Sequence, residues 1–147
     1  ERLYWLNGHG GNSATITAAF SEIYHGVTFD RAGANHPAVR CCLRNWWELP
    51  GMADLCRQLF PVGEGSHATP SEVSVTWFGY PEAQKSVAMT PRIAPNGPIL
   101  DAEDYRRRFP DGRIGSDPSQ ANIPAGEKIV AAAVKAVISE FRQFAAS

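Results

Sequence analysis

Three glycines surround a histidine in Asn7-Gly8-His9-Gly10-Gly11-Asn12. The hexapeptide lies between an apolar run, Leu3-Tyr4-Trp5-Leu6, and a stretch from Ala14 to Tyr24 that can form an amphipathic helix. Glycine gives up the most backbone entropy on folding, so three at one strand-to-helix switch imply a tight turn or a close approach to a ligand. In open α/β sheets the carboxyl ends of strands are where ligands sit. The hexapeptide is thus the first place to look for chemistry. The apolar run before it reads as a buried strand.

A chain of 147 residues is one domain on length. The apolar and charged fractions, 44% and 20%, are ordinary for a globular protein. A formal net charge of −1, with no basic stripe, excludes the usual nucleic-acid footprint. No apolar run approaches the roughly 18 residues a membrane helix needs. Cys41, Cys42 and Cys56 have no metal-type spacing and suit a reducing, cytoplasmic setting. No signal peptide is visible. The chain opens on Glu1 and enters a strand at once, which reads as a processed chain or the back portion of a longer protein.

The pattern predicts a strand over residues 2–7 and a helix over 13–25, with Asn12 or Ser13 as N-cap. A loop from Phe29 to Pro37 precedes a strand over Val39–Leu49 that ends at Pro50-Gly51. A short helix, Met52–Phe60, leads to a loop at 61–66. Thr69-Pro70-Ser71-Glu72 has the form of a helix start: Thr69 caps, Pro70 suits the first position, and Glu72 can close a capping box. Residues 90–124 read as irregular, with a helical turn or two at Ala102–Phe109. Ala125–Phe144 is the clearest helix, with Ile129, Ala133, Ala136, Val137, Phe141 and Phe144 at helical spacing.

His9 is the first chemical candidate. A neutral imidazole at a strand end can bind a borderline metal, and the amides of Gly10 and Gly11 can face a substrate oxygen. The alternative is a histidine satisfied by hydrogen bonds in a tight turn. His67 and Glu72 form the second. With His67 in the loop before the helix, Glu72 could be a metal ligand and His67 a proton donor or acceptor beside it. The alternative is a capping glutamate and a surface histidine. Trp46-Trp47-Glu48 could wall a small-molecule pocket or pack as core and interface. His25 and His36 are expected to face solvent, Asp117 to serve a turn, and Arg106-Arg107-Arg108 to form a solvated face. An α/β-hydrolase reading needs a GxSxG elbow, which is missing, so a metal-free esterase built on the His-Gly-Gly loop is disfavoured.

Three segments together resemble the creatininase (creatinine amidohydrolase) family. LYWLNGHGGN is similar to its strand-plus-NGHGGN signature. GSHATPSEVS resembles its His-Ala-Gly-x-x-Glu-Thr motif, with His67 and Glu72 at the matching spacing. GRIGSDPSQANIPAGEKIVAAAVKAVISEF looks like its closing Gly-Asp-Pro segment and final helix. The resemblance implies a three-layer αβα sandwich with a mostly parallel sheet, present here as a partial single domain over 1–147. It also implies a divalent metal cofactor (Zn, Mn or Fe, two per intact subunit), a small-molecule substrate with a non-peptide C–N bond, and homo-oligomers, hexamers among them. By the same resemblance His9 and Glu72 would be metal ligands and His67 the catalytic proton shuttle. Gly10, Gly11 and Asn12 would bind substrate.

The departures carry information too. The family's upstream Glu-x-His-Gly-x-His-Leu-Pro segment and its bridging Asp have no counterpart here. The chain therefore resembles the C-terminal two-thirds of a family member, expected to fold poorly alone, to bind metal weakly and to be inactive by itself. Creatininase has an acidic residue two positions after the motif His; here that position is Gly11, which argues against creatinine as substrate. Thr69 stands where the motif has Gly. The rival to a metal-dependent amidohydrolase is a non-catalytic creatininase-like binding scaffold.

Overall fold

The computed structural model describes residues 1–30 and 38–147. The chain divides into two compact units, one of Glu1–Pro50 with Ala133–Ser147, the other of Gly51–Ala132.

In the first unit β1 (Arg2–Asn7) pairs in parallel with β2 (Arg40–Asn45), in register from Arg2↔Arg40 to Asn7↔Asn45. Parallel strands need a crossover. It runs through α1 (Ser13–His25) and a π-helical turn, Gly26–Asp30. That turn takes in Phe29 and Asp30 of the expected loop; the rest of the loop, with His36, lies outside the described residues. His25 ends α1, exposed, its ring 5.0 Å from that of Phe29. Asn12 precedes α1 without a side-chain cap, because Gly10–Asn12 already form a 3-10 turn leading into the helix.

The second strand is shorter than expected. At Trp46 the backbone leaves the sheet for a 3-10 turn, Trp46–Glu48, although the sequence there is rich in strand formers. Nor is β1 a buried strand: Leu3, Trp5 and Leu6 are 38%, 48% and 48% exposed. Among the described residues, β1 has β2 along one edge only, and α5 (Ile123–Ala146) meets it through Tyr4. The Tyr4 ring packs edge-on to Phe141 at 5.6 Å and beside Phe144 at 6.0 Å. Arg44 of β2 pairs with Glu140 at 2.6 Å.

The second unit holds α2 (Met52–Leu59), α3 (Pro70–Gly79), α4 (Ala102–Arg108) and the first turns of α5. Met52, Phe60, Phe109, Ile114 and Ile129 are buried. The capping box at Thr69 forms as the sequence predicts. Arg106 is exposed, but the other two arginines are committed: Arg107 and Arg108 both pair with Asp104, and Arg108 lies 5.0 Å over the Phe109 ring. α3 and α5 meet backbone to backbone at Gly126, where a Cβ would overlap the Ser74 carbonyl. Ser74 is fully buried, and its hydroxyl accepts the Asn122 N–H at 3.0 Å just before α5. No helix among the described residues is long and apolar enough to cross a membrane.

Gly126→Ala should therefore lower unfolding free energy in urea by about 1–3 kcal/mol, the usual cost of overpacking. Gly79→Ala, where a Cβ meets nothing within 4 Å, should be neutral or gain up to roughly 1 kcal/mol from helix propensity. Equal effects would contradict the close α3–α5 contact.

Candidate functional site

The NGHGGN loop is held by a buried side-chain amide. Asn7 is 2% exposed. Its Nδ2 donates to His9 O at 2.7 Å and to Asn45 Oδ1 at 2.8 Å. Its Oδ1 accepts the His9 N–H at 3.2 Å and Asn12 Nδ2 at 3.3 Å. Asn45 is the register partner of Asn7; its own amide donates to Glu48 at 2.9 Å, and its oxygen also accepts from Ser13. The last rung of the sheet is thus an amide pair that grips the loop beyond it.

His9 is satisfied through its backbone, not its ring. Its N–H and C=O go to Asn7 and to the Asn12 N–H at 3.0 Å. The exposed ring leans over Gly11: a Cβ there would sit 2.8 Å from Nε2. Among the described residues neither ring nitrogen is hydrogen bonded. Gly10 and Gly11 open the helical segment, where the first amides have no helical acceptor. Gly10 faces Trp47, whose Cζ2 would be 3.9 Å from an added Cβ. Trp46 and Trp47 stand edge to face at 6.1 Å. Asn12 spends one side-chain donor on Asn7, so its part is structural at least in that bond.

In the second unit, His67 forms a lone antiparallel bridge with Ile114. Gly65, at φ +66°, lets the strands close, since a Cβ would collide with the Ile114 carbonyl. Ala68 follows at φ +53°, a left-handed conformation that disfavours a side chain. It swings the chain from the bridge into α3. His67 Nδ1 lies 2.5 Å from Gly112 O. A carbonyl can only accept, so Nδ1 carries the proton, and the other nitrogen, Nε2, is left to exchange one. Tyr105 steadies this arrangement, its hydroxyl donating to the same carbonyl at 3.1 Å and its ring edge-on to His67 at 6.3 Å.

Glu72 closes the capping box. Its Oε2 accepts the Thr69 N–H and Thr69 Oγ1, both at 3.1 Å. The capping reading therefore holds for one oxygen, while Oε1 carries neither bond. Around this turn sit Ser71, hydrogen bonded to Glu64, and Cys56. Burial pushes the Glu64 carboxyl above the usual range; hydrogen bonds with Ser71 oppose the shift and the charge of Glu72 adds to it. Burial, then Glu64, raise the Cys56 thiol against an opposing hydrogen bond with Ser71, which disfavours its thiolate form.

Asp117 serves a turn as expected, accepting the Ser119 N–H at 3.2 Å, but it is fully buried. Burial alone would raise its carboxyl; hydrogen bonds from Ser119 and from Arg92 at 2.8 Å outweigh that and hold it below the usual range. A cavity of about 600 Å³ in this unit is lined by Val73, Trp77, Lys85, Val87 and Met89, and includes neither His67 nor Glu72 in its wall.

Among the described residues no three of His, Cys, Asp and Glu gather closely enough to hold a metal. His67 and Glu72 lie in one unit and His9 in the other. The donor chemistry still suits a borderline divalent ion: an imidazole with free nitrogens and a carboxylate with a free oxygen. Of the positioning residues, Asn7 and Gly112 fall within the motif segments, at the heads of NGHGGN and GRIGSDP, whereas Asn45 and Tyr105 carry no motif.

The family model described as "Creatininase: Creatinine amidohydrolase" matches residues 1–141. The chain belongs to this family. No curated protein matches significantly. Among solved structures, a tryptophan-to-phenylalanine mutant of creatininase, Type II, is 21% identical with a TM-score of 0.74, over 96% of this chain and 55% of that one. A tryptophan-to-alanine mutant of creatininase is 21% identical with a TM-score of 0.72, over 97% and 56%. These likenesses, with the parallel strand pair, show a creatininase-like α/β fold. The chain spans about half the length of the two structures, a smaller share than the two-thirds expected.

At mildly alkaline pH, long-range ¹H–¹⁵N spectra should show His67 as the Nδ1–H tautomer. An Nε2–H signal would contradict the bond to Gly112. Asp117→Asn should destabilise at neutral pH by about 1.5–3 kcal/mol, the range for hydrogen bonds to a charged group. The folded carboxyl titrates below the unfolded one, so the stability it adds is present above the unfolded value near ~3.9 and is lost as pH falls through the folded value. The gap between wild type and Asp117→Asn should close on acidification. A gap independent of pH would contradict an ionised, paired Asp117.

Proposed function

From its membership of the creatininase family, we propose that this chain carries part of the site of a metal-dependent amidohydrolase acting on a non-peptide C–N bond in a small cyclic amide, formamide or amidine. The observation that carries the reading is His67: its Nδ1 is committed to a backbone carbonyl, which orients Nε2 as a proton-transfer atom. His9, through its ring, and Glu72, through Oε1, would hold the metal. The metal, when bound, would supply a water acidified from ~16 to ~7.

The chain's own groups do the rest. The Gly10 and Gly11 amides, at the start of a helical segment, would face the substrate oxygen and favour developing negative charge. Asn12 would border the same oxygen. His67 Nε2 would deliver a proton to the leaving nitrogen. Trp47 would close one side of the substrate space beside Gly10. Creatinine itself is disfavoured, because Gly11 stands where creatininase has an acidic residue. Further metal ligands, a second metal ion and a homo-oligomeric assembly belong to the same proposal. So does a cytoplasmic setting.

The second reading, a creatininase-like binding scaffold without catalysis, draws on the capping role of Glu72, which suffices to explain that residue structurally. Metal analysis separates the two. In the active protein, His9→Ala should remove most bound metal; unchanged stoichiometric metal by elemental analysis would refute the ligand assignment. His67→Ala should keep metal and fold but lower kcat by at least ~10²-fold, the low end for a lost general acid–base. Unimpaired turnover would sink that role. The chain by itself should bind Zn²⁺ weakly, since two ligands fall short of the three usual at catalytic zinc. A monodisperse species with submicromolar affinity would show that these residues suffice.

A further inference from the structure

The polar contacts around the first turn of α3 form a continuous chain. Glu64 Oε1 is paired with Ser71 Oγ, which lies 2.9 Å from Thr69 Oγ1, which lies 3.1 Å from Glu72 Oε2. Each hydroxyl has one proton to give. With Glu64 ionised, the Ser71 proton goes to Glu64, and the Thr69 proton is contested between Ser71 and Glu72. One close oxygen pair is then left without a proton between its members. With Glu64 protonated the count closes: Glu64 donates to Ser71, Ser71 to Thr69, and Thr69 to Glu72. Thr69 Oγ1 still has a lone pair for the Glu72 N–H at 3.1 Å.

A second observation agrees. Glu64 Oε2 is buried with no hydrogen-bond partner among the described residues. An unpartnered oxygen costs far less on a neutral acid than on a carboxylate. The titratable groups facing Glu64 are Cys56 from α2 and Glu72 from α3, neither of them cationic.

We propose that Glu64 is held as a neutral acid at the head of this chain and positions the Glu72 carboxylate through Ser71 and Thr69. Oε2 is fixed as the hydrogen-bonded oxygen, and Oε1 is the atom left for a cation. The positioning half rests on the reading of Glu72 as a metal ligand. Glu64 is a positioning residue: it touches neither substrate nor metal. The middle link depends on Thr69, which stands where the family motif has a glycine with no hydroxyl to relay the bond.

Two measurements on the active protein test this. Infrared difference spectra at neutral pH, wild type against Glu64→Gln, should contain the C=O stretch of a protonated carboxyl that the variant lacks; absence of that band overturns the neutral acid. In Zn²⁺ titrations by calorimetry, Ser71→Ala should weaken binding roughly 10–100-fold, the usual effect of losing an outer-shell partner. Glu64→Gln should retain wild-type affinity, because its amide still donates to Ser71. Should Ser71→Ala not fold, Thr69→Val removes the middle hydroxyl and carries the same expectation. Wild-type affinity in the broken-chain variants overturns the positioning role. If Glu72→Ala instead binds Zn²⁺ as wild type does, Glu72 is no ligand; that result fells the metal-site reading and the positioning role with it, whatever the infrared band shows.

Discussion

The Asn7 side-chain amide, buried at the end of β1, is the contact on which the glycine-rich loop depends. A loop with three glycines around one histidine has little conformational preference of its own. Asn7 supplies it, holding both the N–H and the C=O of His9 and reaching across to its register partner Asn45. Among the described residues the ring of His9 is left without hydrogen bonds, over a glycine that gives it room. Replacing Asn7 by an apolar residue would free the loop and leave the Asn45 oxygen with Ser13 as its remaining donor, at a cost of about 0.5–1.5 kcal/mol for each hydrogen bond lost.

The second unit solves a similar problem with different parts. His67 is fixed from both sides of its residue, by the bridge to Ile114 through the backbone and by Gly112 through Nδ1. A left-handed Ala68 then redirects the chain, and the capping box restores a regular helix within one residue. Such a conformation at a non-glycine residue costs on the order of 1–3 kcal/mol and persists where surrounding contacts over-determine it. Here those contacts are the bridge before Ala68 and the cap after it.

Much of this was legible in the sequence because it is local. The start of α3 follows from Thr69, Pro70 and Glu72, whose chemistry acts within one helical turn. Strand β1 follows from its apolar run and helix α1 from its amphipathic pattern. Strand β2 ended early because residues 46–48 carry strand-forming tryptophans yet turn into a 3-10 segment, closed by Asn45 bonding Glu48. The exposure of Trp5 and Leu6 could not be read, because a strand's burial is set by what covers it. The role of Arg108 escaped for a related reason: three consecutive arginines look solvated until an aromatic ring and Asp104 are found beside them. His9, His67 and Glu72 stand in motifs, and so does Asn7, whose bonds to His9 and Asn12 are local; its bond to Asn45 and that of His67 to the Gly112 carbonyl act across stretches of chain that no local pattern links.

Locating bound zinc by anomalous diffraction at the zinc edge, from crystals of the active protein grown with Zn²⁺, probes the site most directly. The expected result is density within coordination distance of both the His9 ring and Glu72 Oε1, with His67 nearby but outside the coordination sphere. Zinc bound by His67, or by neither His9 nor Glu72, would contradict the assignment of ligands and proton shuttle together.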